Sequence, residues 1–263
     1  MKKVFLTIVN ICLIVFIGNA QDVVKKANNF IDLLSAEQKT GTLFPFDSEE
    51  RYNFHFVPFV RKGITFNEMN AQQTEAGLAL LRACLSEMAY KKATDIVAME
   101  VVLKEIENRK PEDKYRDPGN YHFSIFGIPS NKTIWGWRFE GHHISYNFSF
   151  DKKMIVSGTP GFMGSNPAVV LTGSKKGKEI LKEETEEGFQ VLNSLDAAQL
   201  RKAIIDTIAY KDILTFDKRS AAINSKLGLK YTELNENQQA LVLKLIKVYV
   251  NRYTHLFAES MLK

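Results

Sequence analysis

Along most of this chain the apolar positions recur every three or four residues, and in the middle the period drops to two. Ile96, Met99, Leu103 and Ile106 fall on one side of a helix predicted over residues 93–108. Leu241, Leu245 and Val248, flanked by Val242, Ile246 and Tyr249, give a last helix a wide apolar stripe. From residue 121 to 171 side chains alternate instead. Residues 121–127 predict one strand and residues 134–150 a long strand or a tight strand pair. Residues 154–156 and 169–171 predict two short strands. Their close spacing favours antiparallel pairing. Residues 52–57 also alternate and predict an edge strand, since Pro58 follows. Residues 108–118, polar and carrying two prolines, read as a linker into the sheet.

Helix starts are marked by a recurring device. Four segments place an apolar residue before Ser, Asn or Asp, with Gln three positions further on: Leu34-Ser35 with Gln38, Met69-Asn70 with Gln73, Leu195-Asp196 with Gln199, and Leu234-Asn235 with Gln238. Each predicts a capping box, in which the short side chain accepts from an orphan N–H of the first turn and the Gln reaches back. Residues 63–70 match residues 228–235 in type at six of eight positions, 165 residues apart, and the first and third boxes are 161 apart. An internal duplication with a central insertion accounts for both offsets. The fold class expected is therefore α+β: a duplicated helical frame around a central, mostly antiparallel sheet. It would be helical over 21–110, β-rich over 115–172 and helical over 176–263, all in one domain.

The ends and the composition narrow the setting. Lys2 and Lys3 precede an apolar run over residues 4–17 that is short for a membrane span, and Gly18-Asn19-Ala20 follows. This predicts a signal peptide, residues 1–20, cleaved to leave Gln21 first, and hence an exported protein, periplasmic or extracellular. No later stretch is apolar enough to span a bilayer. Cleavage removes Cys12 and leaves Cys84 alone, so no internal disulfide is expected. Cys84 lies in a helical, largely apolar pattern and reads as a buried hydrophobe. Losing Lys2 and Lys3 lowers the formal charge from +5 to +3. The remaining basic residues alternate with acidic ones, which describes a solvated surface and not a nucleic-acid footprint.

Candidate chemistry concentrates in residues 135–148, which hold both tryptophans and two of the five histidines. Trp135, Trp137 and Phe139 are odd-numbered, whereas Ile144, Tyr146, Phe148 and Phe150 are even-numbered. Strict alternation cannot keep both sets on one face, so a bulge at Gly141 or a tight hairpin must shift the phase by one. The shift would gather Arg138, Glu140, His142 and His143. Glu140 beside an imidazole makes an acid/base pair working near neutral pH. His142 and His143 with Glu140, and His122 from a neighbouring strand, could hold a divalent metal such as zinc, although no recognised metal-site spacing is present. Arg138 would hold an anionic group. Plain structural roles compete with each of these: an Arg138–Glu140 ion pair, and histidines bonded to backbone at an irregularity. Trp135 and Trp137 could stack on a sugar, or simply fill the core. Residues 157–167, rich in Gly and Pro, could be a loop over the site or a plain connection.

Several segments in order carry a resemblance: Arg116-Asp117-Pro118, Ile125-Phe126-Gly127-Ile128-Pro129, the run from Trp135 to His143, Thr159-Pro160-Gly161-Phe162 and Asn166-Pro167-Ala168. With the boxes at 34–38 and 195–199, they resemble the family known as domain of unknown function 3500 over nearly the whole mature chain. The resemblance implies a chiefly bacterial, often exported protein and a single family-wide domain. It implies no activity. The function expected from the residues is a metal-assisted hydrolase using the Glu/His site. The alternative is a non-catalytic carbohydrate- or peptide-binding protein of the cell envelope.

Overall fold

The computed structural model describes residues 20–263 apart from Lys153 and Asn224; the signal-like residues 1–19 lie outside the described residues. The fold is α+β. Helices α1 (Ala20–Leu33), α2 (Ala36–Thr42), α3 (Ala71–Cys84) and α4 (Glu87–Ile106) precede the main strands, with short strands β1 (Leu43–Phe44) and β2 (Ile64–Thr65) between them. Strands β3 (His122–Phe126), β4 (Ile134–Gly141), β5 (Ile144–Asp151), β6 (Met154–Ser157) and β7 (Gly161–Met163) follow. Helices α5 (Lys182–Asn193), α6 (Ala197–Ala203), α7 (Glu236–Val250) and α8 (His255–Met261) close the chain. No helix among the described residues is long and apolar enough to cross a membrane.

The sheet runs β1-β3-β4-β5-β6, with β2 also on β3 and β7 also on β5. Among the described residues only the β1–β3 pairing is parallel. A two-residue hairpin, His142-His143, joins β4 to β5 and makes the phase shift: Trp135 faces Phe150, Trp137 faces Phe148 and Phe139 faces Tyr146. Because directly opposed residues share a face, both apolar sets point to one side. There they meet Phe30 of α1, which packs on Phe123 at 5.4 Å between ring centroids, and Tyr253, 6.0 Å from Tyr146. Cys84 is buried in this core, and burial pushes its thiol pKa far up.

All four capping boxes form, at Ser35, Asn70, Asp196 and Asn235. Their glutamines also bond to one another across the helices. Gln73 Nε2 donates to Gln38 Oε1 and to Leu33 O, both at 2.8 Å, and Gln38 Nε2 donates to Glu68 O at 2.7 Å. In the second half Gln238 Nε2 donates to Gln199 Oε1 at 2.7 Å and to Ser194 O at 2.8 Å, and Gln199 Nε2 donates to Glu233 O at 3.1 Å. The partners correspond at the same offsets of 161 and 165. Gly63 and Gly228 also correspond, with φ of +96° and +98°, a region glycine enters without a Cβ penalty. The halves differ in what they cap. Residues 43–44 and 64–65 pair with β3, whereas residues 204–205 and 229–230 form no strand.

Three sequence expectations need correction. The edge strand over 52–57 does not form. A 3₁₀ turn, Glu49–Tyr52, leads into an extended strap whose carbonyls bond to two arginines instead of to a strand. Residues 169–171 form no strand either, because Val170 closes a local loop with residues 177 and 178. The helix predicted over 93–108 starts earlier, at Glu87, where Ser86 caps it.

Candidate functional site

The second face of the sheet is polar, and its register explains which groups meet. Arg138 stands opposite Asn147 and Ser124, and Glu140 opposite Ser145 and His122. This face is covered by the strap of residues 50–61. Arg138 is 0 % exposed and Glu140 is 2 % exposed. Arg138 Nη1 donates to the carbonyls of Glu50 (2.7 Å) and Asn53 (2.6 Å), and Nη2 to Glu50 Oε1 (2.6 Å). Its Nε lies 2.7 Å from Glu140 Oε1, a contact of charges whose N–H is not aimed as a hydrogen bond. Arg61 Nε lies 3.5 Å from the other Glu140 oxygen, and its Nη2 donates to the carbonyls of His55, Val57 and Gly141. Both guanidiniums are thus engaged in pinning the strap to the sheet. Burial raises the Glu140 pKa to about 7, against the opposing pull of Arg138 and Arg61.

Two of the histidines form the hairpin turn. Gly141 is needed there, since a Cβ on it would come within 2.3 Å of the Tyr121 ring. His143, the second turn residue, has φ of +59° and is held by backbone bonds on both sides: its N–H donates to Phe56 O at 2.7 Å and its carbonyl accepts from Gly164 N at 2.8 Å. Its ring lies against that of His142, 3.9 Å between centroids. Burial, with His142 and Arg116 adding to it, lowers its pKa to about 4.

His142 reaches a different carboxylate. Its Nδ1 is 2.5 Å from Oε1 of Glu100, on α4. A carboxylate accepts only, so this bond requires the proton on Nδ1, and Nε2 then faces Arg116 Nη1 at 3.5 Å. The Tyr121 hydroxyl donates to His142 O at 2.9 Å and fixes the turn. Arg116 Nη1 sits 3.2 Å from Nδ1, while its Nη2 donates to Glu107 Oε1 at 2.6 Å. The Arg116 and Arg109 guanidiniums hold the Glu107 carboxyl down at about 2. His142 and Glu100 border a hollow of about 420 Å³, with His122, Arg61, Tyr121 and Asp117 also on its wall. His122 Nδ1 lies 3.4 Å from Gly63 O, and burial lowers its pKa.

The structure therefore brings His142 and His122 to the wall of one hollow, places His143 behind His142 with its ring against it, and engages Arg138 and Glu140 with each other and with the strap. Among the described residues no three His, Cys, Asp or Glu side chains are arranged to hold a metal ion. His142, His143 and His122 do not form a ligand set. Glu100 escaped sequence reasoning although a signal was present: it lies four residues after Ile96 and three before Leu103, a carboxylate inside an apolar stripe. Trp135 and Trp137 are 0 % and 1 % exposed, so neither offers a face to a sugar beside the hairpin.

A family model described as protein of unknown function (DUF3500) matches residues 18–263. Comparison with curated proteins and with solved structures gives no match in either.

Proposed function

Since the chain belongs to the DUF3500 family of proteins of unknown function, whose membership assigns no activity, we propose a function from the geometry: a hydrolase in which His142, oriented by Glu100, activates water in the 420 Å³ hollow. The observation that carries this is the 2.5 Å contact of His142 Nδ1 with Glu100 at the edge of that hollow. A carboxylate on one imidazole nitrogen raises the basicity of the other and stabilises the imidazolium formed when it takes a proton from water. Tyr121 holds the turn, so the ring is set before substrate arrives.

The test is a chromogenic panel of carboxylic esters, peptides, glycosides and phosphoesters. One class should be turned over. His142→Ala should lower that rate by ~10²–10⁴-fold, the usual worth of a positioned general base. Glu100→Gln should lower it less. Melting temperature guards against unfolding. A wild type inert toward every class, or a His142→Ala protein of undiminished rate, ends the proposal.

Two finer readings accompany it. Export is supported by the basic, apolar and small-residue order of residues 1–20. Protein recovered outside the cytoplasm should have the mass of a chain starting at Gln21, and a chain still starting at Met1 removes the reading. The two glutamine-linked helical units are read as copies of one ancestral unit, supported by their matching bonds and offsets.

A further inference from the structure

A second hollow, of about 650 Å³, opens on the same polar face further from the hairpin tip and shares no wall residue with the first. Its volume falls in the ~300–1,000 Å³ range of small-molecule sites. Its floor is made by Phe126 of β3 and by Asn147 and Ser149 of β5. Gly136 lies between Phe126 and Ser149 in the register and adds no side chain there, which leaves the floor open. Tyr52, Phe54, Phe162 and Phe216 supply aromatic walls.

Its polar groups fall into two sets. On the floor, the Asn147 amide nitrogen is used, bonded to Ser145 Oγ and Pro160 O at 3.3 Å each. Among the described residues its amide oxygen and the Ser149 hydroxyl have no hydrogen-bond partner within the chain. At the rim stand three cations, Arg51, Lys218 and Arg219, and among the described residues no Asp or Glu lines the hollow. Arg219 lies 3.8 Å and Arg51 4.3 Å from the centroid of the Tyr52 ring. Arg219 is also paired with Glu49 at 3.1 Å, but both side chains are exposed, and such pairs are worth little and exchange readily.

We infer that this hollow is a binding site for an anionic saccharide. Unengaged hydroxyl and amide groups exchange hydrogen bonds with sugar hydroxyls. Aromatic faces receive the C–H faces of sugar rings. Three cations at the rim, with no Asp or Glu on the wall among the described residues, select a negatively charged group over a neutral sugar of the same shape. This site is separate from His142 and stands whether or not the hydrolase reading does.

The protein is titrated with trigalacturonate, glucose 6-phosphate and maltotriose by calorimetry. One of the two anionic probes should bind saturably and at least tenfold tighter than maltotriose, and which one identifies carboxylate or phosphate as the charge. Binding should weaken as salt rises, because Lys218 and Arg219 are exposed. Arg219→Glu, a surface change that leaves the core intact, should weaken it at least tenfold, and Ser149→Leu should block the floor. His142→Ala should bind like the wild type, which separates this site from the first. No saturable binding by either anion at millimolar concentration, equal binding of maltotriose, or unchanged affinity in Arg219→Glu overturns the inference.

Discussion

Glu140 lies near the end of β4 and His143 is the second residue of the hairpin turn, and burial moves their protonation in opposite directions. Glu140 has a folded pKa of about 7 against an ordinary 4.5. Its contribution to stability is complete below pH 4.5, where both states are protonated, and is lost as pH rises to 7. His143 has a folded pKa of about 4 against 6.5. Its contribution is complete above pH 6.5 and is lost as pH falls toward 4. Between 4.5 and 6.5 the two slopes oppose each other. Glu140→Gln removes the first and leaves the second, so the variant should gain on the wild type from pH 4.5 to 7 and lose stability visibly on the acid side. Urea melts at fixed salt across pH 4–8 measure this, and a constant difference between the proteins across that window contradicts it.

At the scale of elements, the capping boxes do more than start helices. Gln38 and Gln73 each bond back to their own helix start and across to the other, so two helix N-termini and the ends of α1 and the 3₁₀ turn before α3 are tied by two side chains. Residues in one hydrogen-bond network couple by ~0.5–3 kcal/mol in double-mutant cycles. A cycle of Gln38→Ala with Gln73→Ala should therefore show a coupling in that range, and a cycle of Gln199→Ala with Gln238→Ala a similar one. Coupling in one half and none in the other would argue against equivalent units. Each box is legible in five consecutive residues. The amide exchange between boxes was not, because it joins residues 35 and 39 positions apart.

For the whole molecule, the buried arginines act as fasteners between layers. Arg138 alone takes two carbonyls and one carboxylate of the strap and contacts Glu140. Removing one partner from such a buried set costs ~3–5 kcal/mol, because the groups left behind are desolvated and unpaired. Arg138→Ala should lose about that much stability. Its effect should be local as well as global: amides of residues 50–61 should exchange hydrogen much faster relative to the core strands than in the wild type. If core strands and strap lose protection in equal proportion, the arginine is an ordinary core group and not a fastener. Loosening the strap would also open a wall of both hollows, since Arg61 borders one and Arg51, Tyr52 and Phe54 the other.

What local sequence determined about this protein is what depends on near neighbours. Side-chain periods distinguished helix from strand, polar residues three apart marked helix starts, and the odd-to-even change of phase required a turn or bulge at Gly141, which is now a hairpin. These follow from bond geometry over a few residues. Tertiary structure decided the partners of the charged groups. Arg138 and Glu140 were placed on the right face but are sealed by a strap that alternation alone presented as a strand. His142 takes its carboxylate from Glu100, 42 residues earlier, and not from Glu140 two residues away. Strand geometry sends Glu140 to the buried face, while the turn swings His142 over the end of the sheet toward α4, and only the packing of that helix brings a second carboxylate within reach.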